Sequence, residues 1–373
     1  MRLAYLSTDP GIAYGGSKGA SVHLAEMTAA LAGSGSEVLL VVSAVQPDTP
    51  DPPRGMTVET LPGPAKTATA AERLAAEPFR QSWLERRFAA FGAEAVYERL
   101  ALHTSAGAAA AHRLGVPHLV EINAPLLEEA AAFRHLDHAG TADRLEQSTL
   151  VAADVVIAVS RPLAAYASAR GARRVVVMPN AISVKRYGRA PEAHVPPVAV
   201  FCGALRPWHG IETIAAAWDI LGPAAPTLLV VGDGPGRQAL EAVGAEVTGF
   251  VAHERVPALL GRADIGLAPY APDCPRYFSP LKLFDYLAAG LAVVAADLPG
   301  VSDIVGPGSA VLIDPGDAPA LADAVARLVV DHDRRLNLGR AGQALVMANH
   351  TWERRAGEVR GLVREMRIQP AWS

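Results

Sequence analysis

Short β-branched runs recur along the chain between Ala- and Leu-rich stretches of helical period, and this alternation narrows the fold to parallel α/β architecture. In the first half, strands are expected at RLAYLS, EVLLVVS, TVETL, AVYER, HLVEIN, VVIAVS and RVVVMPN. In the second half they are expected at VAVFCG, TLLVVGDG, EVTGF, DIGLAPY, LAVVAAD and AVLID. Several are apolar nearly throughout, as strands covered by helices on both faces are. The expectation is two doubly wound, Rossmann-like domains. RAPEAHVPP, from Arg189 to Pro197, breaks the pattern and resets it, so the domains are placed at 1–188 and 189–350. The segment from about 351 to 369 reads as a closing helix, and Val45 to Pro64 as surface loop around one short strand.

Half of the 373 residues are apolar, enough for a core in each domain. A net charge of -4 gives no general attraction to nucleic acid or anionic membrane. Cys202 and Cys274 are the only cysteines, which argues against a disulfide framework and for a reducing, cytoplasmic location. MRLAYLS already reads as a strand, so no signal peptide is expected, and no apolar stretch approaches the length of a membrane span. Peripheral contact with the inner membrane face stays open, as does the oligomeric state.

In a parallel sheet, ligands collect outside the carboxyl ends of the strands. Four segments there carry candidate chemistry. Gly15-Gly16-Ser17-Lys18-Gly19 follows the first strand and precedes a helix expected from about Ala20 to Leu31. Its glycines, free N–H groups and lysine suit an anion, although the spacing is not that of a Walker A loop. Phe278-Ser279-Pro280-Leu281-Lys282 leads into LFDYLAAG, with Ser279 expected as N-cap and Pro280 as the first helical residue. Lys282 then opposes the helix dipole unless an anion lies nearby. Asp285, almost one turn on, is suited to accept both hydroxyls of a ribose. In Gly203-Ala204-Leu205-Arg206-Pro207-Trp208-His209-Gly210, Arg206 offers a fork of donors to phosphate, and His209 a hydrogen bond or, protonated, a charge. Trp208 beside them is read as packing. The Gly232-Asp233-Gly234 turn lets a flat base approach the backbone. Asp331-His332-Asp333 resembles a metal–diphosphate pair, but its place between two helical segments makes helix capping the better reading. No zinc spacing or nucleophile elbow is present, and no metal site is expected.

Taken in order, GGSKGASVH, PNAISVKRY, LRPWHG, VVGDGPG and SPLKLFDYLAAG resemble glycosyltransferase family 4, the retaining enzymes of GT-B fold. The resemblance implies two Rossmann-like domains with an interdomain cleft and a C-terminal helix packed back on the first domain. It implies a nucleotide diphosphate sugar as donor substrate, no cofactor and no metal. The donor would be held by Gly15, Gly16, Lys18, Gly19, His209, Gly232, Gly234, Tyr277, Phe278, Ser279, Pro280, Leu281 and Asp285, with Arg206 and Lys282 stabilising the leaving group. The family often has two glutamates where this chain has Tyr277 and Asp285; the usual Arg and Lys fall on Ala204 and His209. Where relatives place a histidine near the reacting sugar, Asn123 stands. Asn123 can orient a hydroxyl but cannot act as a base near neutral pH.

Glu98, Arg99 and Glu121 are acceptor-side candidates, with a structural salt bridge as the alternative for Glu98 and Arg99. Loops around 79–87 and 123–129 are the expected acceptor contacts, where Trp83 and Phe88 form either an acceptor wall or core. The expected reaction moves a sugar to a hydroxyl of a small natural product, a lipid-linked sugar or a glycan. The alternatives are a catalytically silent nucleotide-binding partner of another transferase, a GT-B sugar-nucleotide epimerase and a glycosyl-phosphate phosphorylase.

Overall fold

The computed structural model describes residues 1–64, 66–133, 136–188 and 194–368. The chain divides into two compact units, Met1–Pro179 with Trp352–Ser373, and Asn180–Thr351. The division falls at 179/180, ahead of the Pro-rich segment, of which Arg189 to Ala193 lie outside the described residues. The loop Asn180–Gly188 goes with the second unit because Ile182 bridges to Thr351 and Tyr187 is buried in that unit's core.

Unit 1 holds seven strands: β1 (Arg2–Ser7), β2 (Glu37–Val42), β3 (Met56–Thr60), β4 (Ala95–Arg99), β5 (His118–Ile122), β6 (Val155–Ala158) and β7 (Val175–Val177). They form one sheet in the order β3-β2-β1-β4-β5-β6-β7, with every pairing parallel. Unit 2 holds β8 (Val198–Cys202), β9 (Thr227–Val231), β10 (Glu246–Val247), β11 (Ile265–Ala268), β12 (Ala292–Ala296) and β13 (Ala310–Ile313). Their order is β10-β9-β8-β11-β12-β13, again all parallel. In each sheet the order reverses beside the first strand, between β1 and β4 and between β8 and β11. Loops leaving those strands turn in opposite directions and open a crevice, the usual ligand position in a doubly wound sheet.

Each strand places alternate residues on opposite faces. In β8, Ala199 and Phe201 join one apolar cluster with Ile214, Trp218 and Leu321, while Val200 and Cys202 join another with Phe284, Tyr286 and Leu287. Both faces are thus dry, which is why these strands are apolar throughout rather than alternating. In unit 1, Phe88 is fully buried beside Leu84 and Val96, with Trp83 packed against them, so both belong to the core. They lie on the helix Glu77–Phe91, not in a loop. The helix Trp352–Ile368 packs on Gly19–Gly33, with the Trp352 ring edge-on to His23 at 4.8 Å. Asp331 caps the helix His332–Asn349 by accepting from the Arg334 N–H at 2.9 Å.

The loops after β8 and β9 lock together. Gly203 N–H donates to Val231 O, Leu205 N–H to Asp233 O, and Gly236 N–H to Leu205 O, at 2.9–3.0 Å. Gly232 has φ +149, and a Cβ there would lie 2.0 Å from the Gly203 carbonyl oxygen. Gly234, at φ +151, would place a Cβ 2.9 Å from the Leu205 nitrogen. These glycines therefore serve loop-on-loop contact. Gly232→Ala is expected to lower unfolding stability by about 2–4 kcal/mol, from left-handed strain and overpacking together. Urea denaturation checks this; a loss within 0.5 kcal/mol (roughly the scatter of surface substitutions) would contradict it.

Candidate functional site

At the crevice of unit 2, the β8 chain leaves the sheet through Gly203 at φ +137, and a Cβ there would lie 3.1 Å from the Lys282 Nζ. The lysine therefore occupies the space that a side chain at 203 would fill. Lys282 is the second residue of the helix Leu281–Ala288. Its stem is partly exposed, but Nζ itself is closed to solvent and makes no hydrogen bond. What faces the ammonium is aromatic: the Phe201 ring centroid at 4.1 Å and that of Tyr270 at 5.6 Å. Ring faces attract a cation, but less than a carboxylate does. Burial pulls the Lys282 pKa down to about 7. Tyr270 itself holds φ +39, an uncommon region for a bulky side chain.

His209 stands beside this group, its ring 5.9 Å from Tyr270 and 6.3 Å from Phe201. Its Nδ1 is 2.6 Å from the Ala204 carbonyl oxygen. A carbonyl only accepts, so Nδ1 carries the hydrogen and a neutral ring presents Nε2 as a lone pair. Burial first, then the Lys282 charge, lowers the His209 pKa to about 3. Of the two roles open to His209 in the sequence, a hydrogen bond or a charge, the neutral ring near pH 7 leaves the hydrogen bond. Arg206 is exposed and makes no ion pair among the described residues; its guanidinium lies 5.8 Å from the Trp208 ring centroid. Trp208 is 38% exposed, so it is a surface support for Arg206 and not core packing.

Asp285, one turn beyond Lys282, is 8% exposed. Tyr187, 98 residues earlier, donates its hydroxyl to Asp285 Oδ1. Burial raises the Asp285 pKa to about 6, against the lowering effects of that hydrogen bond and of Arg186. Oδ2 has no hydrogen bond among the described residues. The expected capping by Ser279 is not what the fold uses. Pro280 is the N-cap, and the Ser279 hydroxyl accepts from the Asn180 N–H at 3.1 Å while the Asn180 amide donates to Ser279 O at 2.6 Å. The loop before the helix is thereby tied to the 180–188 segment, and a serine oxygen engaged there is not available to the helix. Phe278 packs its ring 4.9 Å from Tyr270, and Tyr277 is half-buried.

Unit 1 presents a different arrangement. Glu121 on β5 is 1% exposed and is ringed by donors. Oε1 lies 2.8 Å from His23 Nε2, 3.3 Å from Arg99 and 2.6 Å from the Asn123 amide; Oε2 accepts from Tyr97 at 2.7 Å and Tyr5 at 3.2 Å. Burial works to raise its pKa, but His23, Arg99 and Tyr97 prevail and hold the carboxyl well below the usual range. Glu98 points to the other face, 2.9 Å from His118 Nε2, and is equally buried. Glu98, Arg99 and Glu121 are therefore in buried pairs. Asn123 is half-buried and tethered through its amide nitrogen, so its carbonyl oxygen remains for a hydroxyl. His23, Tyr97, Tyr5 and Tyr187 were not singled out from the sequence, because each finds its partner from 24 to 116 residues away. Gly15, Gly16, Ser17 and Lys18 line a 420 Å³ cavity together with Lys66 and the buried Ser21 of helix Gly19–Gly33; Gly19 is not in its wall.

The raised Asp285 pKa has a defined consequence. The folded state holds the proton more tightly than the unfolded chain, so wild-type stability falls as pH rises from about 4 to 6 and stays lower above that window. Asp285→Asn keeps an acceptor for Tyr187 and removes the buried charge. It is expected to stabilise the free protein at pH 7 by up to ~3 kcal/mol, with the gain vanishing by roughly pH 4. Chemical denaturation at the two pH values measures it; a pH-independent difference would contradict the assignment.

Comparison with known proteins places the chain. Residues 17–186 match the family model described as Glycosyltransferase Family 4, and residues 196–331 match Glycosyl transferases group 1. Alpha-D-kanosaminyltransferase of Streptomyces kanamyceticus is 26% identical over 182 residues, 46% of either chain, so this match spans less than half of that relative's length. 2-Deoxystreptamine glucosyltransferase of the same organism is 28% identical over 276 residues, 64% of this chain and 68% of the relative. Among solved structures, Anabaena HepE in complex with UDP superposes with a TM-score of 0.73 at 17% identity, covering 98% of this chain and all of that one. Both relatives are glycosyltransferases by name, and two parallel-sheet Rossmann-like units of this kind are the GT-B fold. The chain belongs to glycosyltransferase family 4.

Proposed function

We propose that the chain is a retaining, metal-independent glycosyltransferase that moves a sugar from a nucleoside diphosphate donor to a hydroxyl acceptor. The observation that carries this reading is Lys282: an amine whose nitrogen is closed off, unpaired and placed at a helix start, with its charge and that of exposed Arg206 both acting on His209. A diphosphate beside Nζ would supply the missing anion. Asp285 Oδ2, one turn on, would accept the ribose hydroxyls. In the proposed step, the bond from acceptor oxygen to the anomeric carbon forms as the bond from that carbon to the diphosphate oxygen breaks. The electron pair leaves on the diphosphate, and the acceptor proton passes to a phosphate oxygen on the same face. Lys282, Arg206 and the N–H groups of the helix start lower the barrier by meeting the charge that develops there. The UDP bound by HepE makes uridine diphosphate sugars the first donors to test, and similarity to a 2-deoxystreptamine glucosyltransferase favours a small natural product as acceptor. The two free, buried cysteines support a cytoplasmic setting.

One observation favours a second reading, the catalytically silent nucleotide-binding partner. His209 is neutral where the family carries a lysine, so one cation is missing from the leaving-group side.

A single set of assays separates the readings: thermal unfolding and product analysis with UDP-, GDP-, dTDP- and ADP-sugars, in EDTA, for wild type and Lys282→Met. One nucleotide class at a hundredfold its Kd should stabilise wild type by about 2.7 kcal/mol. Turnover should fall roughly a hundred- to a thousandfold in Lys282→Met, the usual effect of removing one charge-stabilising donor. The product should keep the donor's anomeric configuration by NMR. Binding without turnover across acceptors would favour the silent partner, a changed donor without acceptor would indicate an epimerase, and an inverted product would overturn retention.

A further inference from the structure

Unit 1 has a cavity of 160 Å³ where its strand order reverses. Asp9 reaches it from the loop after β1, His103 from the loop after β4, and Leu126 and Glu129 from the helix after β5; Arg73 and Leu102 complete the walls that matter here. His103 is 8% exposed, and its Nε2 is 3.0 Å from the Asp137 carbonyl oxygen. That carbonyl can only accept, so Nε2 carries the hydrogen and Nδ1 of a neutral ring is a lone pair. Nδ1 makes no hydrogen bond among the described residues. Glu129 likewise makes neither a hydrogen bond nor an ion pair among them. Asp9 accepts from the Gly11 N–H at 2.7 Å through Oδ1, which leaves Oδ2. Arg73 donates to the Lys66 carbonyl oxygen at 2.9 Å and pairs with neither carboxylate.

Among the described residues, the charged and titratable groups at this cavity are thus Asp9, Glu129, Arg73 and His103: two carboxylates against one guanidinium already engaged elsewhere. A half-buried carboxylate without a partner is unfavourable, and an anionic ligand would add to the repulsion. An uncharged polyol would satisfy His103 but leave the carboxylates uncompensated. We propose that this cavity receives the acceptor, and that the acceptor is an amine-bearing polyol. Its ammonium lies at Asp9 and Glu129, and a hydroxyl donates to His103 Nδ1. Leu102 and Leu126 supply an apolar wall for the carbon ring. His103 acts here as a positioning residue. The assignment rests on the transferase reading for the word acceptor; the cavity's preference for an ammonium does not.

Isothermal titration tests it with the amine probes 2-deoxystreptamine and D-glucosamine against the uncharged myo-inositol and D-glucose, at pH 7, with and without saturating UDP. The expected result is at least about tenfold tighter binding of the amines, and about a tenfold loss in Glu129→Gln and in Asp9→Asn. His103→Asn, which tolerates the positive φ of 62° at this site, should weaken amine and polyol binding alike. The thermal shift given by UDP should be the same in all three variants, which shows that they are folded. Equal affinity for amines and polyols, no binding of either, or variants that bind amines as wild type does would each overturn the proposal. A wild type that binds amines but no nucleotide would instead sink the transferase reading and leave the cation site standing.

Discussion

An amine whose nitrogen is closed to water and faces only ring carbons is an unfavourable arrangement, and unit 2 is organised around keeping Lys282 in it. Gly203 leaves the space that the ammonium fills, Phe201 and Tyr270 wall it, and the loop tied by Asn180 and Ser279 sets the start of its helix. His209 is neutral beside it because burial disfavours its charged form, and the Lys282 charge adds to that. Asp285 is held in a similar way, buried with only Tyr187 and a pKa pushed up to about 6. Two opposite charges within one helical turn, both held away from their most stable ionisation and neither neutralising the other, are what a site prepared for a zwitter-complementary ligand requires. A phosphate and a vicinal diol together meet both needs.

Unit 1 solves its electrostatics differently. Glu121 is surrounded by His23, Arg99, Tyr97, Tyr5 and Asn123, so its charge is satisfied internally and the cluster is rigid. The rigidity fixes Asn123, whose carbonyl oxygen is left over, and the cluster joins β1, β4 and β5. Unit 1 is therefore a firm platform with a few unsatisfied atoms at its rim, while unit 2 carries the perturbed groups. That division matches the chemistry proposed, in which charge develops on the leaving diphosphate and the acceptor has only to be placed.

The architecture was legible because each cue was local. Apolar β-branched runs marked the strands, and Asp331 was recognisable as a cap from its immediate neighbours. Lys282 and Asp285 could be named because their spacing on one helix is a property of the sequence. What escaped depends on distant pairing. Ser279 looks like a cap until Asn180, 99 residues earlier, takes its oxygen. The packing of Gly232 and Gly234 against the β8 loop is likewise hidden until the two loops are placed together. Glu98 and Arg99 are neighbours in sequence but point to opposite faces, each toward a different buried partner. The ionisation of His209 follows from its burial and from the charge of Lys282, which no spacing reveals.

The central claim is that Lys282, with a pKa lowered to about 7, is the group that meets the diphosphate. Placing a phosphate beside it restores the charged form, so nucleotide binding above that pH must take up a proton. Calorimetric titration of UDP at pH 8, in two buffers of different ionisation enthalpy, counts that proton directly. The account predicts net uptake approaching one proton per nucleotide bound, and none in Lys282→Met. Tight UDP binding with no proton uptake in the wild type, or the same uptake in the variant, would contradict it.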